Sequence, residues 1–173
     1  MEKMGYKGKG LGKNEDGIET ALTSKDLCAD SKKHLIFSSS ITRDLSEKVL
    51  NKKVKGRVQK HQYKGHKIKD IKKYITPHLD SGELIDTAII AAGGNDIPKH
   101  EHADFSPLAV VEDILEAGTT CVENGVGKVF ISSILPRSSF FFQLRRKVVN
   151  DLLKRKCRES GFVFIDNNNI ILS

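Results

Sequence analysis

Two patterns of apolar residues alternate along the chain from about residue 34: unbroken runs of strand length, and longer stretches with apolar positions at helical spacing. The runs His34–Ser39, Val54–Val58, Ile85–Ala92, Gly127–Leu135 and Gly161–Asp166 predict five strands. Between them the spacing predicts four helices. The first opens at Ser40 with Leu45, Val49 and Leu50 on one side, and the second runs from Ile68 to His78 with Ile68, Ile71 and Ile75 in register. Pro77 lies close to the end of the second and Gly82 beyond it. The third, from Pro107 to about Asn124, has Ser106 as its cap and buries Val110, Val111, Ile114 and Leu115; the fourth runs from about Phe140 to Glu159.

Strands alternating with helices predict an α/β three-layer sandwich on a five-stranded parallel sheet, with right-handed crossovers and the flavodoxin-like order 2-1-3-4-5. The third run, IDTAIIAAGGNDI from Ile85 to Ile97, has no polar alternation, as expected of a central strand covered on both faces. It ends in Gly93 and Gly94, which let the backbone turn sharply, and then Asn95, whose amide falls at the carboxyl edge where open α/β sheets bind ligands. The same residues also make an ordinary polar turn. The order 2-1-3-4-5 places the ends of strands 1 and 3 together, so Ser40 and Asn95 should be neighbours. Ser40 itself has two readings: a cap on the helix that follows, or a hydroxyl over a helix N-terminus that stabilises an oxyanion.

The formal net charge of +7 favours polyanionic partners. The charge is concentrated in two places. Lys52, Lys53, Lys55, Arg57, Lys60, Lys64, Lys67, Lys69, Lys72 and Lys73 crowd one segment with Asp70 alone against them, and Arg145 to Arg158 load the fourth helix. Such surfaces are either solvated outer faces or contacts to nucleic acid; the only aromatic residues interleaved with them are Tyr63 and Tyr74. Cys28, Cys121 and Cys157 are odd in number and far apart, which argues against a disulfide framework or a zinc site. No metal-ligand spacing, Walker loop or dinucleotide fingerprint occurs, so no metal or cofactor is expected. There is no apolar run of membrane-spanning length and no apolar signal core, so a cytoplasmic or nuclear location is expected, without a membrane partner. The oligomeric state is not legible.

Residues 1–22, MEKMGYKGKGLGKNEDGIETAL, hold few apolar anchors and should be flexible alone. Met4, Gly5, Tyr6, Gly8, Gly10, Leu11, Gly12 and Gly17 resemble the G-patch motif, an aromatic after the first glycine followed by GxGLG and a further glycine. The spacing from Tyr6 to Gly8 is one residue tighter than the commonest form, and the Pro after the last glycine is missing. The resemblance implies contact with RNA and RNA–protein assemblies, and docking onto a DEAH-box helicase. A polar connection, 23–33, leads into the α/β domain, 34–173.

From His34 to Leu172 the chain also resembles the SGNH (GDSL-type) hydrolases. Ser40 matches the nucleophile of their first block, Gly65 the glycine of the second, and Gly93-Gly94-Asn95-Asp96 the GxND of the third. The resemblance implies an oxyanion hole at Ser40, Gly65 and Asn95. The GDS glycine and aspartate are replaced by Ser38 and Ser39, and the DxxH block has no counterpart before Ser173, so the domain is expected to be C-terminally incomplete. A serine without a base is a weak nucleophile; His100 or His102 could substitute, but read more simply as surface residues. Similar SGNH-like domains occur in proteins derived from mobile elements. Two functions follow. One is a nucleic-acid-associated binding protein, contacting its partners through the G-patch-like residues and Lys52, Lys53, Lys55 and Arg57, with an inactive hydrolase-like domain; the other is an ester hydrolase acting through Ser40.

Overall fold

The computed structural model describes residues 32–39, 42, 44–80 and 82–167. The G-patch-like residues Gly5 to Gly17, Cys28 and Ser40 lie outside the described residues. Five strands form one parallel sheet: β1 (Lys33–Ser38), β2 (Arg57–Gln62), β3 (Ile85–Ala91), β4 (Lys128–Ser132) and β5 (Val163–Ile165), in the order β2-β1-β3-β4-β5. Four helices alternate with them: α1 (Glu47–Lys53), α2 (Ile68–Leu79), α3 (Pro107–Glu123) and α4 (Phe140–Glu159).

The predicted order is the observed one. In β1, β3 and β4, Leu35, Phe37, Ala88, Ile90, Val129 and Ile131 join the core made with α2, α3 and α4. The helices contribute Ile68, Ile71, Ile75, Val111, Ile114, Val149 and Leu153, together with Cys121 and Cys157, which are fully buried. Leu115 is only half-buried at the edge of this layer. A parallel sheet needs both faces covered because its central strands are apolar on both sides. On the second face Ile36, Ile89 and Ile165, together with Leu50 of the short α1, line two adjoining cavities of about 310 and 370 Å³.

The fourth and fifth strands are shorter than expected, at Lys128–Ser132 and Val163–Ile165, and two other elements move. The second strand is Arg57–Gln62 and not Val54–Val58: Val54 caps the end of α1 and is 43% exposed, and pairing starts only where Arg57 N–H donates to the Lys32 carbonyl at 2.8 Å. An edge strand bonds on one side and stays half solvated, so RVQKHQ can fill it without an apolar run. The first described helix starts at Glu47 with Ser46 as its N-cap, six residues after Ser40, and Leu45 and Val49 remain about half exposed. The reading of Ser40 as the cap of this helix is therefore corrected.

Candidate functional site

The carboxyl edge is tied together by backbone bonds between neighbouring strand ends. Ser39 N–H donates to the Ala91 carbonyl at 3.3 Å, and Tyr63 N–H donates to the Ser38 carbonyl at 2.8 Å. Ser38 and Thr42, both buried, pair through their hydroxyls.

Beyond β3, Gly93 adopts a φ of +102° and turns the chain across the sheet edge. Asn95 then spans two loops: its Nδ2 donates to the His66 carbonyl at 2.9 Å, while its Oδ1 accepts from Arg137 Nη2 at 3.0 Å. Arg137 lies in the turn between β4 and α4, its guanidinium 5.0 Å from the centre of the Phe142 ring. A Cβ at position 94 would fall 2.9 Å from Arg137 Nη2, so the second glycine of GGND is what admits the guanidinium. Burial lowers the Arg137 pKa from its ordinary value. Among the described residues Arg137 has no carboxylate within ion-pair distance.

Asp96 does a different job. Lys67, the N-cap of α2, makes no side-chain cap, and the Asp96 carboxylate takes its place by accepting from Ile68 N–H at 3.1 and 3.4 Å. Burial raises the Asp96 pKa to about 6, against the opposing effects of the Ile68 bond and Lys67. The GGND turn thus braces the starts of α2 and α4 at once.

The predicted second and third blocks meet here. Gly65, at φ +80°, precedes the His66 carbonyl that Asn95 holds, and its Cα faces open space. Ser40 lies outside the described residues, so its expected approach to Asn95 does too. His100 and His102 are exposed, on a loop that Arg145 pins by donating to the carbonyls of Pro98, His100, Glu101 and Ala103.

Sequence reasoning missed a ring cluster beside this site. His61 and His78 stack at 3.6 Å, Phe37 stacks on His61 at 5.5 Å, and Tyr63 bonds His78 Nε2 through its hydroxyl at 3.0 Å. Tyr63 in turn stacks on Tyr74 at 5.0 Å, and both meet His66 edge-on. Burial and the neighbouring His78 push the His61 pKa down to about 4, and its Nε2 is buried with no hydrogen-bond partner among the described residues. Three aromatic or histidine residues, His61, Tyr63 and His66, fall two or three apart on β2 and its turn, a hint readable only once β2 is placed correctly.

The basic residues separate into two groups. Lys69, Lys72 and Lys73 pair with Asp113, Glu116 and Asp70, while Lys154 and Lys156 pair with Asp166 and Glu159. Lys52, Lys53, Lys55 and Arg57 are exposed, and none is in an ion pair among the described residues. Among the described residues no cluster of His, Cys, Asp or Glu could hold a metal ion, and no helix is long and apolar enough to cross a membrane. Burial raises the Cys121 and Cys157 thiols to about 12 and about 11.

Residues 1–27 match the family model of the G-patch domain. No curated protein sequence matches the chain. Solved structures do. A member of the lipolytic G-D-S-L family from Veillonella parvula matches with a TM-score of 0.65 at 17% identity, over 78% of this chain and 77% of that one. A carbohydrate acetylesterase from Sinorhizobium meliloti matches at 0.63 and 16%, over 82% and 86%. An aryl esterase from M. smegmatis matches at 0.63 and 18%, over the same shares. A G-patch segment therefore precedes an α/β domain with the fold of the SGNH hydrolases.

Proposed function

We propose that this chain is a nucleic-acid-associated binding protein. Its G-patch segment contacts RNA or an RNA–protein assembly, including a DEAH-box helicase, and its α/β domain adds electrostatic affinity in the nucleus or cytoplasm. The observation that carries this reading is the G-patch match at residues 1–27. The exposed group Lys52, Lys53, Lys55 and Arg57, in no ion pair among the described residues, supports it, because clustered cations release counterions on meeting phosphates. The hydrolase-like domain is read as inactive because a serine without a base is a weak nucleophile, and His100 and His102 are exposed on a loop that Arg145 pins. The test is titration of a labelled single-stranded RNA with the full chain at rising salt, beside a variant with the four cations changed to glutamine. Binding should weaken steeply with salt, and the variant should bind more weakly at low salt. No binding, or salt-insensitive binding, overturns the reading.

A second reading has its own support. The fold is shared with esterases, and Gly65 and Asn95 lie on loops joined by one hydrogen bond, as an oxyanion hole with Ser40 would need. In that case the chain is an ester hydrolase using Ser40.

A further inference from the structure

We propose that Tyr74, backed by Tyr63 and with Lys64 and Lys67 on the turn that leads to its helix, is a stacking platform for a base of single-stranded nucleic acid. This deepens the nucleic-acid reading and rests on it. Proteins that hold single strands combine cations along the backbone path with an aromatic face on which a base can stack. The structure supplies both at the junction of β2 and α2.

Tyr63 is fixed at two points, by its N–H to the Ser38 carbonyl at 2.8 Å and by its hydroxyl to His78 Nε2 at 3.0 Å. On this anchored ring Tyr74 lies nearly parallel, at 5.0 Å between centroids and 11° between planes, yet remains 44% exposed. His66 stands almost perpendicular to Tyr74 at 6.0 Å, closing one side. A tyrosine supported in this way loses little conformational freedom when a base covers it, which favours binding.

Lys64, next to Tyr63, and Lys67, just before α2, lie on the turn between the two tyrosines in the chain; both are exposed, and neither is in an ion pair among the described residues. Gly65 between them has nothing within 4 Å of the position a Cβ would take, so the turn does not block a strand lying across it. The turn is held from beneath by the Asn95 bond to the His66 carbonyl. Charge and shape therefore fit an anionic strand with unpaired bases. A duplex keeps its base faces inside the stack and has none to offer the ring.

The chain suits a direct optical test, because it has three tyrosines and no tryptophan. The full chain is titrated with short oligoadenylate and with double-stranded RNA of the same length. Tyrosine fluorescence and the anisotropy of a labelled oligoadenylate are followed for wild type, Tyr74→Ala and Tyr74→Phe. Oligoadenylate should quench the wild-type emission, Tyr74→Ala should bind roughly tenfold or more weakly, and Tyr74→Phe should bind nearly as well as wild type. Tyr74 is partly exposed on α2, and circular dichroism of both variants verifies that the fold is kept. Unchanged affinity in Tyr74→Ala, or quenching by duplex equal to that by single strand, overturns the platform. If such binding still depends on Lys52, Lys53, Lys55 and Arg57, the broader nucleic-acid reading survives. Failure of the wild-type chain to bind either probe overturns both.

Discussion

Arg137 donates to the Asn95 side chain at 3.0 Å across 42 residues of sequence, and Gly94 makes room for it. The amide that the sequence marks as chemistry is thus held in a fixed orientation by a residue that the sequence marks only as part of a turn. Replacing Arg137 by Ala removes a charged donor and its cover over Phe142. Hydrogen bonds to charged groups contribute about 1.5–3 kcal/mol, and partial exposure reduces this, so a loss of about 1 kcal/mol is expected in urea unfolding. Gly94→Ala should act by evicting the same guanidinium. The double variant should then be little less stable than Gly94→Ala alone, whereas additive losses would show that the two residues are uncoupled.

Asp96 has a folded pKa of about 6 against an ordinary 3.8, raised first by burial. Between those values the folded chain binds more protons than the unfolded one, so this group's stabilisation is full at lower pH and is lost as pH rises through about 6. Asn in its place keeps an acceptor for Ile68 N–H without the buried charge. Relative to wild type, Asp96→Asn should therefore gain stability as pH rises from about 4 to about 7, on the order of 2 kcal/mol at the upper end. Parallel stability curves for the two proteins would rule this out.

His61 works in the opposite direction. Its folded pKa of about 4 lies below the ordinary 6.5, so the contribution of the neutral ring is present at neutral pH and is lost as pH falls through that window. His61→Phe keeps a ring against Phe37 and His78 while removing a buried Nε2 that has no partner among the described residues. The variant should melt higher at pH 7 by about 1 kcal/mol of stability and resist mild acid better than wild type. A lower melting point at pH 7 would show that the imidazole is satisfied in a way Phe cannot replace.

The salt dependence of RNA binding carries its own number. Each phosphate contact on a single strand contributes about 0.7 to the slope of log affinity against log salt. Removing the charges of Lys52, Lys53, Lys55 and Arg57 should make the slope shallower by up to four such steps. Equal slopes would exclude this patch as the contact.

Ester turnover separates the two functional readings. The intact chain and Ser40→Ala should hydrolyse p-nitrophenyl acetate and butyrate at the same background rate. A clear activity that disappears in Ser40→Ala would establish the hydrolase and direct attention to His66, His100 and His102 as bases.

The parts of the fold that were legible are those in which the buried face of an element is mainly apolar. α4 begins and ends at Phe140 and Glu159 as its spacing predicts, and the run before Gly93 is the central strand, beside β1 and β4. β2 was misplaced because an edge strand needs no apolar run, and in Arg57–Gln62 Val58 is the one apolar residue. At the site, the position of Asn95 on the carboxyl edge was readable from the strand that ends before it. Its orientation was not, since that depends on Arg137 and His66, residues brought to it by topology and not by spacing. The ring cluster was hidden for the same reason: Phe37, His61 and His78 come from three different elements.

Cys121 and Cys157 sit on neighbouring helices, fully enclosed, with thiols that ionise only far above neutral pH. Alkylating reagents attack the thiolate, so in the closed domain both sulfurs are silent. Once Cys28 is replaced by serine, each labelling event at neutral pH records an opening of the core. With a reagent slow enough to sample the opening equilibrium, the labelling rates of the two sulfurs yield the free energy of that opening separately for α3 and α4. The chain therefore carries two internal timers for its own unfolding.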